Sequence, residues 1–351
     1  MFRNIQLLRA GGAILVLLFH FHPVYRAAGG SNPLLVRLMP LGYVGVDLFF
    51  PISGFIMIHM ISAREATSAN VGHFLGRRFL RIFSWYLPCM ALALALTACY
   101  NPGGLAQVDL LRSATLTSVD LPHLALPVSW SLSYELYFYL AVALAWAASR
   151  GNLRWAIWLT AVALVVWCCV APYEEGTLLS FLTSPFCLEF LAGALLYLHR
   201  GQLVRKPLLP VYAAAALALL WLGVHHDATN GVLRISTFGA GAFFLLCLFV
   251  TLEETKLYRA GRIGTALGDA SYSIYLLHLP ALALFNGSGL REVLTQWGMW
   301  LGEAGFIAYL SAFLTVCVVL HYVAELPLYR WLCGLLLPWR VRPKPVAPTA
   351  A

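Results

Sequence analysis

The sequence predicts an all-α, polytopic integral membrane protein of about ten transmembrane helices. Hydrophobic residues make up 61% of the 351-residue chain and charged residues only 11%, whereas about a quarter of the residues in a soluble domain are charged. Apolar stretches of roughly the length that crosses a bilayer recur along the chain, separated by short polar breaks. We predict one membrane-embedded domain, residues 1–337, and a short disordered cytoplasmic tail, residues 338–351, rich in proline and arginine.

The apolar stretches give the spans in chain order. The predicted spans are 5–25, 42–62, 83–100, 131–149, 155–171, 179–198, 208–224, 234–252, 271–287 and 303–324. With the N-terminus inside, eighteen Lys and Arg side chains fall on the cytoplasmic side, and the other side receives Arg26, Arg37, Arg112, Arg234 and Arg291. The positive-inside rule therefore places both termini in the cytoplasm. The net charge of +8 then follows from topology and contact with anionic lipid, and nucleic-acid binding is not needed to explain it.

The first span contains two ionisable residues, Arg9 and His20, that an apolar helix ordinarily excludes. Eleven helical steps of ~100° bring both side chains to one face, separated by roughly 16 Å of rise. Ionisable groups at this depth usually face a cavity or a partner. His22 is rotated ~200° from His20, so we interpret it as structural or interfacial. Arg9 and His20 are therefore predicted to face one continuous polar path along this side of the span.

The third span is preceded by a basic cluster of Arg77, Arg78 and Arg81. One interpretation is a membrane anchor that contacts anionic lipid. The other is an anion site, because Arg78 and Arg81 are three residues apart and would project together from a helix. The two interpretations are compatible.

Several classes of site are not indicated by the sequence. The eight cysteines lie in or beside apolar segments without CxxC spacing, so we expect core residues and neither a metal site nor a disulfide scaffold. Walker A, GxGxxG and HExxH patterns do not occur in the sequence. We find no internal repeat, which disfavours transporter folds built from duplicated halves. We therefore expect no metal and no tightly bound cofactor.

Seven segments, in one order along the chain, carry a resemblance to a known family. They are Gln6-Leu7-Leu8-Arg9-Ala10 leading to His20, Gly45-Val46-Asp47-Leu48-Phe49-Phe50 with Ser53-Gly54-Phe55, Arg77-Arg78-Phe79-Leu80-Arg81-Ile82, Trp130-Ser131-Leu132 with Glu135, Leu188-Glu189-Phe190 with Gly193, Ser271-Tyr272-Ser273-Ile274-Tyr275-Leu276 with His278, and Glu325 with Pro327. The chain resembles the acyltransferase-3 membrane proteins, which O-acylate bacterial cell-surface sugars, from about residue 4 to 330. The segment after Gln6 most resembles the exopolysaccharide acetyltransferase branch.

Two positions depart from the pattern of this family. Pro51 stands where an aliphatic residue is usual, and Ser84 stands where proline is frequent. A proline inside a helix removes a backbone hydrogen bond. We therefore expect a kink or a local opening in the second span.

The resemblance implies a donor, acyl-coenzyme A, that enters from the cytosol of a bacterium and presents its thioester within the inner membrane. A sugar hydroxyl needs a base near pH 7, and histidine titrates in that range. His20 is therefore the candidate catalytic residue, either as the base or as a covalent carrier of the acyl group. Arg9 and the cluster of Arg77, Arg78 and Arg81 are the candidate contacts for the phosphates of the coenzyme.

Other polar residues at the spans are candidates with alternative roles. Glu135 would orient a catalytic histidine or bind acceptor hydroxyls. His278 shares a helix face with Ser271 and Tyr275, which suits a polar stripe toward a cavity or a hydrogen bond in the core. The tentative cavity residues are Ser53, Trp130, Ser131, Tyr275 and His278. Buried carboxylates must be paired or protonated, and the carboxylates expected to pair helices are Asp47, Glu189 and Glu325.

The sequence thus predicts a membrane O-acyltransferase that transfers an acetyl group from cytosolic acetyl-coenzyme A to a hydroxyl of a cell-surface or exported polysaccharide. Its partners would be acyl-coenzyme A, a polysaccharide or lipid-linked saccharide, and membrane lipids. A transporter or flippase that moves a lipid-linked sugar without covalent chemistry is the alternative class. A third alternative is an inactive scaffold of a polysaccharide assembly complex. The sugar, the hydroxyl and the choice between direct transfer and an acyl-enzyme stay open at this stage.

Overall fold

The computed structural model describes residues 2–27, 29–149, 152–170, 177–289, 292–293, 296 and 299–337. Within these ranges every regular element is a helix, so the all-α prediction is confirmed. The predicted tail, 338–351, lies outside the described residues, as does Arg291.

Each predicted span overlaps one long helix, and we number these helices α1 to α10. Their bounds are α1 Arg3–Ala27, α2 Gly45–Ile61, α3 Ser68–Tyr100, α4 Trp130–Ala148, α5 Leu153–Val170, α6 Phe186–Leu198, α7 Leu209–His225, α8 Ala240–Glu254, α9 Ser271–Gly287 and α10 Met299–Leu320. Shorter helices flank them at Pro33–Leu38, Leu110–Thr115, Leu178–Leu182, Arg200–Leu203, Gly231–Arg234, Arg262–Asp269 and Leu326–Leu336. Single wide π turns at Ile235–Gly239 and His321–Glu325 join neighbouring helices.

The helices are those of a polytopic membrane protein, as predicted. Among the described residues, eight helical stretches are long and apolar enough to cross a membrane. Helices α4 and α9 are not among these eight; α9 has only 17 residues, and α4 begins with the polar residues Ser131, Ser133 and Glu135. The count of about ten spans therefore stays a prediction.

Helix α3 begins fifteen residues before the predicted third span, at Ser68. The Thr67 side chain caps it by accepting a hydrogen bond from the Asn70 backbone N–H at 3.2 Å. At 1.5 Å per residue, its 33 residues extend ~50 Å, well beyond the ~30 Å apolar layer of a bilayer. Arg77, Arg78 and Arg81, which precede the predicted third span, therefore lie within α3.

Helices α2 and α6 pack backbone against backbone. A Cβ atom added at Gly193 would lie 1.8 Å from the Pro51 carbonyl oxygen, and one added at Gly54 would lie 1.9 Å from the Phe190 carbonyl oxygen. Small residues at such crossings allow membrane helices to approach closely. Helix α2 runs through Pro51 without a break, and the kink expected at this proline stays a prediction.

A buried ion pair ties α2 to the segment before α8. The Asp47 carboxylate accepts hydrogen bonds from Arg234 Nε at 3.1 Å and from its Nη2 at 2.8 Å. The Asp47 side chain is fully buried, and that of Arg234 is 10% exposed. The prediction that Asp47 pairs helices is confirmed, and the partner is one of the arginines assigned to the outer side. Glu189 is also buried, against Gly239.

Candidate active site

A cavity of about 310 Å³ lies among α1, α2, α3, α4 and α9, in the half of the bundle that holds the N-terminal end of α1. Its polar lining residues are Gln6, Arg9, Ser53, His59, Arg78, Arg81, Ser131, Glu135, Tyr139, Ser271, Tyr272 and Tyr275. Apolar side chains such as Phe49, Phe50 and Ile82 complete the wall. A cavity of this size and mixed lining fits the chain-like part of a ligand and is at the small end of the range for whole ligands.

Helical spacing explains how distant parts of the sequence meet at this cavity. Residues three or four apart share a face of a helix. Helix α1 contributes Gln6 and Arg9, α3 contributes Arg78 and Arg81, and α4 contributes Ser131 with Glu135. The cavity therefore receives a pair of polar side chains from one face of each of these three helices.

Glu135 is the carboxylate on the cavity wall. Its Oε1 accepts a hydrogen bond from the Ser53 hydroxyl at 3.1 Å and another, a short one, from the Tyr139 hydroxyl. A carboxylate held by two donors keeps a fixed position beside the arginines. Among the described residues no hydrogen bond joins Glu135 to His20, so these contacts do not support the role of orienting that histidine.

Arg9 and Arg78 face the cavity without an ion-pair partner in the described part of the chain. Arg9 Nη1 donates only a long hydrogen bond, 3.4 Å, to Gln6 Oε1. The Arg78 guanidinium lies 5.1 Å from the centre of the Tyr139 ring, a cation–π distance. Ionisable groups at membrane depth usually have a partner. Two guanidinium groups that form no ion pair with a carboxylate of the described residues make the cavity a candidate anion site.

Arg81 differs because it has a carboxylate partner, Glu325. The two side chains form a short ion pair, and Glu325 Oε2 also accepts a hydrogen bond from the Ser273 hydroxyl at 2.6 Å. His321 Nδ1 lies 3.0 Å from the same oxygen. Glu325 is completely buried, whereas the Arg81 side chain is 25% exposed. The prediction that Glu325 pairs helices is confirmed, and its partner is a cavity residue.

Arg77 is placed away from the cavity. Its Nε donates a hydrogen bond to the Tyr329 hydroxyl at 3.3 Å, on the helix that follows α10. Arg64, in the loop before α3, lies near it, and burial together with the charge of Arg77 lowers the pKa of Arg64. The structure therefore brings two of the three clustered arginines to the cavity and leaves the third at the end of the bundle.

His20 lies beyond the cavity, next to His278. His278 Nε2 is 3.2 Å from His20 Nδ1, and His20 Nδ1 is also 2.9 Å from the Val16 carbonyl oxygen. Tyr275 connects this histidine pair to the cavity, because its hydroxyl lies 2.8 Å from Ser131 Oγ and its ring centre lies 5.9 Å from that of His278. Arg9 and His20 thus belong to two adjacent regions along α1.

The tentative cavity residues divide between these regions. Ser53, Ser131 and Tyr275 line the cavity, whereas His278 is completely buried beside His20. Trp130 packs in an aromatic cluster, with its ring centre 5.4 Å from that of Phe186. Trp130 is not among the residues that line the cavity.

Sequence reasoning did not select Tyr139 and Tyr272 as site residues. Tyr139 follows Glu135 by four residues and Tyr272 precedes Tyr275 by three, so helical spacing from a selected residue was an available signal. Pairing of Arg81 with Glu325 had no such signal, because 244 residues separate the two.

Comparison with known proteins gives concordant results. The acyltransferase domain family matches the chain over residues 2–322. The exopolysaccharide production protein ExoZ of Rhizobium meliloti (strain 1021) is 29% identical over 302 residues, which cover 83% of this chain and 90% of ExoZ. The acyltransferase MdmB of Streptomyces mycarofaciens is 25% identical over 90% of this chain and 88% of MdmB. The putative membrane-bound transacylase BcsY of Komagataeibacter xylinus is 26% identical over 81% of this chain and 74% of BcsY. No solved structure gives a significant match.

Proposed function

The chain belongs to the acyltransferase-3 family and is a membrane acyltransferase, and from this premise we propose that it transfers an acetyl group from cytosolic acetyl-coenzyme A to a hydroxyl of a cell-surface or exported polysaccharide. The observation that carries the proposal is the cavity with two arginines, Arg9 and Arg78, that form no ion pair within the described residues, adjacent to a histidine pair that includes His20. This chemistry requires a binding site for an anionic donor and a base for the acceptor hydroxyl.

The donor part of the proposal rests on charge and size. Coenzyme A carries phosphates, and guanidinium groups bind phosphate with bidentate geometry. A cavity of about 310 Å³ suits the pantetheine arm and the acyl group better than the whole coenzyme. The nucleotide would then remain at the mouth of the cavity, near Arg78, with the thioester deeper in the bundle.

The chemical step assigned to His20 is removal of the proton from the acceptor hydroxyl. The Val16 carbonyl oxygen only accepts, so the Nδ1 atom 2.9 Å away carries the hydrogen and leaves the lone pair on Nε2. A positioned base of this kind typically contributes ~10²–10⁴ in rate. Glu135, held by Ser53 and Tyr139, would balance the positive charge of the arginines when the donor is absent.

The proposed orientation of the protein in the membrane and the proposed acceptor of the acetyl group rest on different observations. The excess of Lys and Arg on one side supports cytoplasmic termini and hence a cavity that opens toward the cytosol of a bacterial inner-membrane protein. The name of ExoZ refers to exopolysaccharide production, which supports an extracellular polysaccharide, or its lipid-linked precursor, as the acceptor.

The proposal is tested with protein in inverted inner-membrane vesicles of the source bacterium, supplied with [¹⁴C]acetyl-coenzyme A. We expect release of free coenzyme A together with label in glycan. A transporter or flippase would give neither product, and that result with correctly inserted protein would contradict the proposal.

Arg78→Gln should raise the KM for the donor by ~10-fold or more, the size of one lost charge-assisted contact. Arg77→Gln should have a smaller effect, and Arg205→Gln, at an exposed cytoplasmic position, is the control.

A further inference from the structure

The histidine beside His20 is a feature that the proposed reaction does not yet use. His278 lies on α9 and is completely buried. Its Nε2 is 3.2 Å from His20 Nδ1, and the two ring centres are 4.8 Å apart. Among the described residues, no carboxylate forms a hydrogen bond or an ion pair with either imidazole. Within the described residues the pair is therefore an imidazole–imidazole contact without an acidic partner.

The protonation state of this pair follows from its neighbours. His20 Nδ1 faces the Val16 carbonyl oxygen at 2.9 Å, which requires a hydrogen on Nδ1. A second hydrogen on His278 Nε2 would point at the first, so His278 Nε2 presents its lone pair and shares the Nδ1 hydrogen as an acceptor. This arrangement leaves His20 Nε2 as a free base.

A difficulty arises once His20 has accepted a proton. The ring then carries a full positive charge, and an ionised group inside the protein is strongly disfavoured unless a partner compensates it. In many enzymes a carboxylate on the opposite ring nitrogen supplies that compensation. His278 Nε2 occupies that place here.

We propose that His278 is a positioning residue for acyl transfer, which holds the base form of His20 and continues to accept the Nδ1 hydrogen bond while His20 is charged. As the acceptor oxygen forms its bond to the acyl carbon, its proton moves to His20 Nε2, while the Nδ1 hydrogen stays on His20 and is donated to His278 Nε2. When the carbon–sulfur bond breaks, the electron pair leaves on the thiolate, which takes the proton from His20 Nε2. Both histidines end neutral, and the products are the ester and the free thiol.

This inference rests on the proposed function, and its test uses the same vesicle assay with [¹⁴C]acetyl-coenzyme A. His278→Leu removes the acceptor atom and should lower kcat by ~10- to 100-fold, as for one lost charge-assisted hydrogen bond. The KM for the donor should stay within a few-fold, because His278 is not among the residues that line the cavity. His278→Gln places an amide oxygen near the former Nε2 and should recover a large part of kcat.

Binding of coenzyme A to the purified variants separates a folding defect from the proposed role. If His278→Leu loses coenzyme A binding, His278→Asn takes its place, because its shorter amide does not reach His20 Nδ1. Equal kcat values in the glutamine variant and the leucine or asparagine variant would overturn the inference, as would a defect confined to KM. If wild-type protein transfers acetyl groups and the variants do so equally well, only this inference fails. If the wild type transfers none, the proposed function fails as well.

Discussion

At the scale of single residues, α1 separates two kinds of chemistry. Arg9 lines the cavity, and His20, eleven residues later, contacts His278 and the Val16 carbonyl. Removal of a guanidinium and removal of an imidazole from the same helix should therefore affect different kinetic constants. A loss of uniform binding raises KM, whereas a loss of a group that acts in the transition state lowers kcat.

His20→Ala should abolish most transfer and leave coenzyme A affinity within a few-fold, because it removes the proton acceptor but no phosphate contact. The expected loss of kcat is on the order of 10²-fold or more. Arg9→Gln should instead weaken donor binding, by about 1.5–3 kcal/mol. Both are measured by coenzyme A release and direct coenzyme A binding at matched expression, with His22→Ala as the neighbouring histidine control. Substantial turnover by the His20 variant would assign the base to another residue.

The residues of the site differ in how readily sequence reveals them. Arg9, His20 and Glu135 stand out because ionisable groups are rare in apolar helices, and Arg78 stands out as a member of a cluster of three arginines. The contacts that define their roles are not local in sequence, since His20 meets His278 across 258 residues. Such contacts depend on which helices adjoin, and hydropathy carries no information about neighbours.

At the scale of helices, apolar runs locate the middle of a span better than its end. Helix α3 begins at Ser68 because a capping threonine and a helical polar segment extend it beyond the apolar core. The last predicted span likewise ends at 324, whereas a π turn at His321–Glu325 continues into Leu326–Leu336. Polar helical turns contribute little to a hydropathy signal, which explains both differences.

The α2–α6 crossing should be intolerant of added volume. Gly193→Ala would place a methyl group 1.8 Å from the Pro51 carbonyl oxygen, so the two helices must move apart. Overpacking of this kind costs about 1–3 kcal/mol, and we expect a lower melting temperature in detergent. Gly11→Ala is the matched control, because nothing lies within 4 Å of its added Cβ. A melting temperature equal to that of the control would contradict the close crossing.

At the scale of the whole molecule, the arrangement of charge predicts topology. Eighteen basic side chains fall on the side that holds both predicted termini. A reporter enzyme fused after Ala351 should therefore be active in the cytosol and protected from external protease in intact cells. A fusion at Asp109, in the segment between α3 and α4, should report from the opposite side. Periplasmic activity of the Ala351 fusion would contradict the order of the spans.

Helix α1 also fixes the distance and the relative direction of the Arg9 and His20 side chains. The eleven residues from Arg9 to His20 make almost three complete helical turns, so both side chains point to the same side of the helix. Exchange of an apolar residue within the interval changes local packing only. Insertion or deletion of one residue rotates every later side chain by ~100° and turns His20 away from His278. We therefore expect one inserted or deleted residue between Arg9 and His20 to abolish transfer, whereas exchange of one apolar residue there for another of similar size should not.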